Sequence, residues 1–172
     1  MRSMVINTKG FSLVELLAVL AIMGVLLTLA GLSGRNLLER YRVEGEVRTL
    51  YADLMNARVR AMQTNRMYFV RVLAKQYSIY QDTNPAPDGN GTLETTAPKD
   101  TLFVQKTISD TFTISNADSF DFDKNGMAIF PAVTTPRVIR VATTAGPEYD
   151  CLEISTTRVR TGRWNGTICQ AK

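Results

Sequence analysis

The stretch KGFSLVE, from Lys9 to Glu15, and the apolar run that follows it to Leu32 decide how this chain begins. Residues 11–32 number about 22, and as a helix they would rise roughly 33 Å, enough for one membrane crossing. Glu15 is the only charged residue in this run. A carboxylate inside hydrocarbon costs about 2.5 to 3.5 kcal/mol by insertion scales, so it normally has a partner. The sequence therefore predicts a membrane-spanning helix over 11–33 whose acid needs a cation nearby.

Other export signals fit the N-terminus less well. An ordinary secretory signal would need a small-residue cleavage site after the apolar run, and no such site is present. A lipoprotein signal would need a cysteine at its cleavage point, but the first cysteine is Cys151. A plain signal anchor with an incidental acid is the alternative. Because Arg2 and Lys9 precede the span, we expect the N-terminus to stay in the cytoplasm and the rest to cross the membrane.

The two cysteines, Cys151 and Cys169, agree with export, because an even count in an exported domain favours a disulfide. A closed loop of about 17 residues would contribute roughly 3 kcal/mol in the chain-entropy model. A reactive thiol is the alternative. The chain has no histidine, so a conventional zinc site and catalytic sets built on histidine are not expected. No phosphate-binding loop or acid pair stands out, so we expect neither an enzyme nor a bound cofactor or metal.

Apolar residues beyond the span recur at helical spacing, which predicts an amphipathic helix that ends between Met62 and Asn65. We expect this helix over 34–64, as part of one globular domain over 34–172. Its apolar face carries Val47, Leu50, Tyr51, Leu54, Ala57 and Ala61. The opposite face, which we expect to be solvated, carries Glu39, Arg40, Arg42, Glu44, Glu46, Arg48, Asp53, Arg58 and Arg60.

The sequence after Asn65 changes to aromatic and β-branched segments typical of strands. The segment 84–100, which contains NPAPDGNG, predicts an exposed loop. Ile139 and Val141 are expected to face the core and Arg140 the solvent. The predicted fold class is α+β, with the long N-terminal helix packed on antiparallel sheets. The predicted strands are 67–72, 77–81, 102–107, 111–115, 119–122, 127–130, 137–143 and 149–155.

Two short motifs suggest sites but are better explained as turns. DFDKNG at 121–126 has the acids of a calcium loop, but it lacks the spacing and the later Glu of an EF-hand, which favours a turn between strands. The NGT triplets at Asn90 and Asn165 match a glycosylation sequence, yet Asn-Gly is also a strong hairpin turn. For Asn165 and Gly166 we favour the hairpin.

The formal net charge of +4 decides little about partners, but charge is unevenly distributed. The segment 155–172 contains no acid and carries Arg158, Arg160, Arg163 and Lys172. Arg158 and Arg160 would alternate onto one face of a strand, where they could contact a phosphate backbone without reading bases. Trp164 could stack on a base of a single strand. The alternative is a solvated basic face with Trp164 covering the disulfide.

The N-terminal signal resembles the class III signal of type IV prepilins and type II secretion pseudopilins. In that signal a short basic leader ends in Gly, Phe becomes the first mature residue and Glu the fifth. The resemblance implies a leader over 1–10 that a prepilin peptidase removes after Gly10, with methylation of Phe11. Cleavage would give Phe11 a positive amino group. In a filament, Glu15 of an incoming subunit could neutralise the amine of its neighbour and set the axial register.

Three further segments, 51–66, 120–130 and 154–169, are similar to the FimT, FimU and GspH group of minor pilins and pseudopilins. This resemblance implies that the second segment begins a second sheet and that the last strand ends in a Gly-Arg-x-Arg-like sequence. Members resembling FimT use the basic stretch to bind DNA during natural transformation. Arg158 and Arg160 stand at its two Arg positions, and Thr157 stands where the pattern has Gly.

We therefore expect a minor type IV pilin, held in the inner membrane by one span with a periplasmic domain, which then joins or primes a pilus. Its expected partners are other pilin subunits, the prepilin peptidase, the membrane and, through the basic strand, DNA bound without sequence specificity. A GspH-like pseudopilin of a type II secretion system is the first alternative, and genome neighbourhood would separate the two. A plain membrane-anchored adhesin or receptor represents another functional class.

Overall fold

The computed structural model describes residues 12–87, 89–109, 112–114, 119–130 and 136–172, without the side chains of 29–34, 113 and 114. The predicted leader 1–10 and Phe11 lie outside these residues. Helix α1 is assigned to Leu13–Thr64. The chain divides into two compact units, with the boundary between Leu38 and Glu39.

In the N-terminal unit, every described side chain of the helix up to Thr28 is exposed, including large apolar ones such as Leu13 and Ile22. Glu15 lies in the first turn of the helix. Within the part of the chain that the structure describes, no helix has a segment long and apolar enough to cross a membrane. The membrane span over 11–33 stays a prediction.

In the C-terminal unit, the helical residues from Glu39 to Thr64 present one buried apolar face, as the spacing predicts. Val47, Leu50, Leu54, Ala57 and Ala61 are buried, and Tyr51 is half-buried. The helix ends at Thr64, where Asn65 takes a positive φ of 53°. The predicted end between Met62 and Asn65 is therefore confirmed.

The strands follow the helix in two antiparallel sheets. In chain order they are β1 (Tyr68–Leu73), β2 (Gln76–Gln81), β3 (Thr101–Thr107), β4 (Phe112–Ile114), β5 (Ser119–Phe122), β6 (Ala128–Ile129), β7 (Arg137–Val141), β8 (Cys151–Ile154), β9 (Val159–Trp164) and β10 (Cys169–Ala171). The first sheet has the order β3-β2-β1-β5-β6, and the second has the order β10-β9-β8-β7-β4. This arrangement confirms the predicted α+β class.

Apolar side chains from the helix and from both sheets form one core. Ile139 and Val141 face this core as predicted, while Arg140 is half-buried. Arg137 is also buried, although sequence reasoning assigned it no core position. Its guanidinium carbon lies 5.3 Å from the centre of the Phe130 ring, a geometry that favours a cation over an aromatic face.

The DFDKNG motif forms a turn between β5 and β6. Asp123 Oδ1 accepts hydrogen bonds from the backbone N–H groups of Asn125 at 2.9 Å and Met127 at 2.7 Å. Gly126 has a φ of 73°, and a β-carbon built on it would lie 3.0 Å from Met62 Cγ. The motif is therefore a local turn packed beside the helix end, as favoured from the sequence.

Candidate functional site

The disulfide between Cys151 and Cys169 joins strands that are not neighbours, because β9 lies between β8 and β10. In a flat sheet, strands two apart would be roughly 10 Å from each other, yet these two Cα atoms are 6.0 Å apart. The chain end therefore bends back over β9. At the crossing, Gly162 pairs with Cys151. A β-carbon on Gly162 would collide with the Gln170 carbonyl oxygen and lie 2.9 Å from Cys169 Sγ, so this position needs glycine.

The strand register places Arg160 and Trp164 on the disulfide side of β9. Arg160 pairs with Glu153, Gly162 with Cys151 and Trp164 with Cys169, and alternate residues of a strand share a face. We call this the outer face of the second sheet. Arg160 is exposed, but the acid of Glu153 is its cross-strand neighbour, which reduces the local positive charge.

Trp164 is half-buried, and one face of its indole is already covered. The guanidinium carbon of Arg140 lies 5.1 Å from the centre of the ring. The backbone N–H of Trp164 donates a 2.6 Å hydrogen bond to Asp150 Oδ1. Stacking of a base on Trp164 would therefore have to use the other ring face or displace Arg140.

Arg158 does not lie in the strand, which corrects the prediction that it alternates with Arg160 along β9. It precedes β9, in the turn that follows β8. The Ser155 N–H donates to the Arg158 carbonyl oxygen at 2.8 Å, and the Arg158 N–H donates to Ser155 Oγ at 3.2 Å. The side chains of Arg158 and Arg160 are both exposed, but Arg158 lies in a turn and Arg160 lies in a strand.

Arg163 belongs to the opposite face of β9 from Arg160, since adjacent strand residues point to opposite sides. A β-carbon built on Gly146 would lie 3.7 Å from Arg163 Nη2 and 3.9 Å from Arg40 Nη2. Lys172 Nζ forms a 3.2 Å ion pair with Glu148. Arg163 and Lys172 therefore lie beside the loop of residues 143–150, which we call the 143–150 loop.

The structure thus divides the predicted basic residues between three places, the first being the turn before β9, which holds Arg158. Arg160 and Trp164 lie on the outer face with Arg140, whereas Arg163 and Lys172 lie at the 143–150 loop with Arg40. Sequence reasoning did not include Arg40 or Arg140 in the candidate site. Arg40 was assigned to the solvated helix face, and no local signal links it to a loop more than 100 residues away.

The N-terminal candidates are described only in part. Gly10 and Phe11, the predicted processing residues, lie outside the described residues. Glu15 is exposed in the first helical turn, among exposed apolar side chains. It is the only charged side chain between Ser12 and Thr28.

The helix and the first sheet also share a charged contact that sequence reasoning missed. Asp53 Oδ2 accepts a 2.5 Å hydrogen bond from the Tyr77 hydroxyl and lies 2.7 Å from Lys106 Nζ. Burial, together with this hydrogen bond and the nearby negative charge, raises the pKa of Tyr77 far above its ordinary value of 10.0. Asp53 was assigned to the solvated face, but only 15% of its side chain is exposed.

Two buried aspartates hold the predicted 84–100 loop at its ends. Asp82 accepts the backbone N–H groups of Asn90 at 3.2 Å and Gly91 at 2.7 Å. Asp100 accepts those of Thr83, Asn84 and Glu94 at 2.9 to 3.1 Å. Burial raises the pKa of Asp82, even though the hydrogen bonds from the Gly91 and Asn90 N–H groups act in the opposite direction. Hydrogen bonds from the side chains of Asn90 and Thr92 lower the pKa of Glu94.

The Asn165-Gly166 pair lies in the connection between β9 and β10, so the favoured hairpin is confirmed. Its loop is longer than a two-residue turn, because Trp164 pairs with Cys169. The Asn165 side-chain oxygen accepts the N–H groups of Thr167 and Ile168 at 3.0 and 2.9 Å. This loop brings β10 back along β9 and thereby places Lys172 near Glu148.

Comparisons with known proteins agree with this architecture. Residues 6–31 match the prokaryotic N-terminal methylation motif, and residues 46–158 match the type II transport protein GspH. The crystal structure of the type IV minor pilin FimU of Pseudomonas aeruginosa has a similar fold, with a TM-score of 0.52. That match has 19% sequence identity and covers 73% of this chain and 91% of FimU. No curated protein sequence matches the chain. Because the GspH match spans more than half of its length, this chain belongs to the GspH family, in the FimT, FimU and GspH group of type IV minor pilins and pseudopilins.

Proposed function

We propose that this protein is a minor type IV pilin that joins or primes a pilus. In this proposal a prepilin peptidase cleaves after Gly10 and methylates Phe11. A single span over 11–33 holds the precursor in the inner membrane, with the domain 34–172 in the periplasm. The observation that carries the proposal is the exposed apolar part of the helix, residues 13–28, which has Glu15 as its only charge and lies within the matched methylation motif.

Exposed apolar side chains along a helix need another apolar environment, either lipid or neighbouring helices. Glu15 adds a requirement for a cation, because a carboxylate in such surroundings is costly unless it is paired. The amine of Phe11 on a neighbouring processed subunit has the right charge. One signal thus serves both for the membrane-held precursor and for assembly with other pilin subunits.

The test replaces Glu15 in the full-length protein, produced in cells that assemble the pilus. We expect Glu15→Gln to be processed normally but to be lost from the sheared filament fraction, while Glu15→Asp retains part of the assembly. Gly10→Leu should block processing, which intact-mass analysis of the membrane fraction would show as retained leader mass. Normal recovery of Glu15→Gln in filaments would contradict the proposal and favour a plain membrane-anchored adhesin or receptor.

A GspH-like pseudopilin of a type II secretion system is the alternative, since the family that matches residues 46–158 is that of the type II transport protein GspH. Deleting the gene separates the two, because a pilin deletion reduces piliation and a pseudopilin deletion reduces export of secreted proteins. The same processing and the same role for Glu15 are expected in both cases.

DNA capture is a second candidate function, favoured by the charge of the chain end. The segment 155–172 has no acid, and Arg158, Arg160 and Arg163 are exposed. Three or four phosphate contacts would give a log-log salt dependence of about −3 to −4. Titration of the full-length protein in detergent micelles with labelled duplex DNA, at several salt concentrations, tests this. Absence of binding at low salt would contradict DNA capture and leave the assembly role unchanged.

A further inference from the structure

Two arginines from distant parts of the chain converge on Gly146. Arg40 comes from helix α1, and Arg163 comes from the end of β9. Both Nη2 atoms lie within 4 Å of the point where a β-carbon of Gly146 would stand, Arg163 at 3.7 Å and Arg40 at 3.9 Å. The Arg40 Nε–H also donates a hydrogen bond to the Ala145 carbonyl oxygen, which orients this guanidinium toward the loop.

Neither of these guanidinium groups forms a salt bridge with a carboxylate of the described residues. The nearby acids have other partners. Glu39 accepts from the Thr143 hydroxyl at 2.6 Å, Glu44 accepts from the Glu148 N–H at 2.8 Å, and Glu148 pairs with Lys172. Two like charges held close together repel each other, and an anion between them would relieve this repulsion.

Gly146 leaves room for such an anion. It is exposed, and its φ of 64° is one that a residue with a side chain rarely adopts. Its backbone N–H makes no hydrogen bond to any described residue, so it is available to donate to a bound anion. Planar guanidinium groups suit phosphate oxygens, with which they form paired, charge-assisted hydrogen bonds.

We infer that Arg40, Arg163 and the Gly146 N–H form a binding site for a phosphate group, which we call the Gly146 site. The assignment of that phosphate to the backbone of DNA rests on the DNA capture proposed above, whereas the site itself rests on the convergence of the two arginines. The site lies at the 143–150 loop, on the other side of β9 from Arg160. It therefore assigns the main phosphate contact to Arg40 and Arg163 and not to Arg158 and Arg160, which stand at the two Arg positions of the predicted motif.

The first measurement uses inorganic phosphate with the full-length protein in detergent micelles, followed by the backbone amide signal of Gly146 in nitrogen-15 NMR spectra. We expect a saturable shift of the Gly146 signal that sodium chloride of equal ionic strength does not produce. Arg40→Gln and Arg163→Gln should each weaken this binding by about tenfold, the effect of losing a charged hydrogen bond. Arg40→Lys and Arg163→Lys keep the charge and should retain part of the binding.

The second measurement titrates the same variants with labelled duplex DNA. Arg40→Gln and Arg163→Gln should weaken binding about tenfold and each reduce the salt slope by about one. Arg160→Gln tests the outer face, and Lys99→Gln, in the loop before β3, is the control for loss of one positive charge. Thermal unfolding of each variant identifies any effect that comes from misfolding.

The outcomes separate the site from the proposed function. A phosphate-dependent Gly146 shift without DNA binding supports a site for free phosphate and contradicts DNA capture. DNA binding that depends on Arg160 but not on Arg40 or Arg163, with no phosphate shift at Gly146, supports DNA capture and overturns the Gly146 site. Loss of both signals in the Arg40 and Arg163 variants, with Lys99→Gln unchanged, supports both.

Discussion

The Tyr77 hydroxyl donates a 2.5 Å hydrogen bond to Asp53, and this bond connects β2 of the first sheet to helix α1. Asp53 also pairs with Lys106 of β3, so one carboxylate connects the helix to two strands. Tyr77 is fully buried, which makes the contact part of the core and not of the solvated helix face. The contact therefore offers a direct test of how the helix is held on the sheet.

Tyr77→Phe should lower the free energy of unfolding by about 1.5 to 3 kcal/mol near neutral pH, because it removes a hydrogen bond to a charged group. The raised pKa of Tyr77 means that the folded protein keeps the phenol neutral where the unfolded chain ionises it. Its contribution is thus complete below pH 10 and falls as the pH rises above about 10. Urea unfolding from pH 8 to 11 measures this difference.

Tyr80→Phe, on the same strand, is the matched control, since the Tyr80 hydroxyl makes no hydrogen bond to a described residue. We expect it to change stability by less than Tyr77→Phe at every pH. Equal stability of the Tyr77→Phe variant and the wild type at pH 8 would show that the bond to Asp53 contributes nothing.

Gly162→Ala should destabilise the protein by about 1 to 3 kcal/mol, the usual cost of adding a group to a filled site. The added methyl would meet the Gln170 carbonyl oxygen and Cys169 Sγ, so β10 would have to shift. Gly45→Ala is the control, because nothing lies within 4 Å of its β-carbon and it is helical. It should be stabilising by about 0.5 to 1 kcal/mol, and urea midpoints of the two variants should move in opposite directions.

Removal of the disulfide should also destabilise the domain. Reduction, or the double change Cys151→Ser and Cys169→Ser, should cost about 3 kcal/mol in the chain-entropy model for a closed loop of this length. Urea unfolding with and without reductant measures the effect in the wild type. If reductant lowered the midpoint of the double variant as much as that of the wild type, the effect could not be assigned to this bond.

Asp82 should make the free energy of unfolding depend on pH in the opposite sense to a paired surface acid, whose pKa is lowered by folding. Burial raises its pKa in the folded state, so the folded protein binds a proton where the unfolded chain does not. This group therefore adds stability as the pH falls from its folded pKa toward 3.8. Asp82→Asn should remove that gain. The free energy of unfolding of the wild type, relative to that of the variant, should therefore rise as the pH is lowered from 7 to 4.

The alternation of apolar residues predicted most strands to within one or two residues. Ile139 and Val141 face the core as expected, and the helical spacing of Leu50 and Leu54 identified the buried helix face. These elements could be predicted because burial on one side imposes the period of the element on the sequence. The buried contact of Asp53 could not be predicted, because its partners Tyr77 and Lys106 come from strands whose register a local pattern does not specify.

The sequence by itself determined the methylation signal with Glu15, the basic end of the chain, the helix face and the α+β class. Each of these is a local property, read from residues near one another in the chain. Tertiary structure alone decided that Arg40 joins Arg163 at Gly146. The physical reason is that strand pairing and the packing of the helix on the sheets bring together residues more than 100 positions apart, and no local period encodes such contacts.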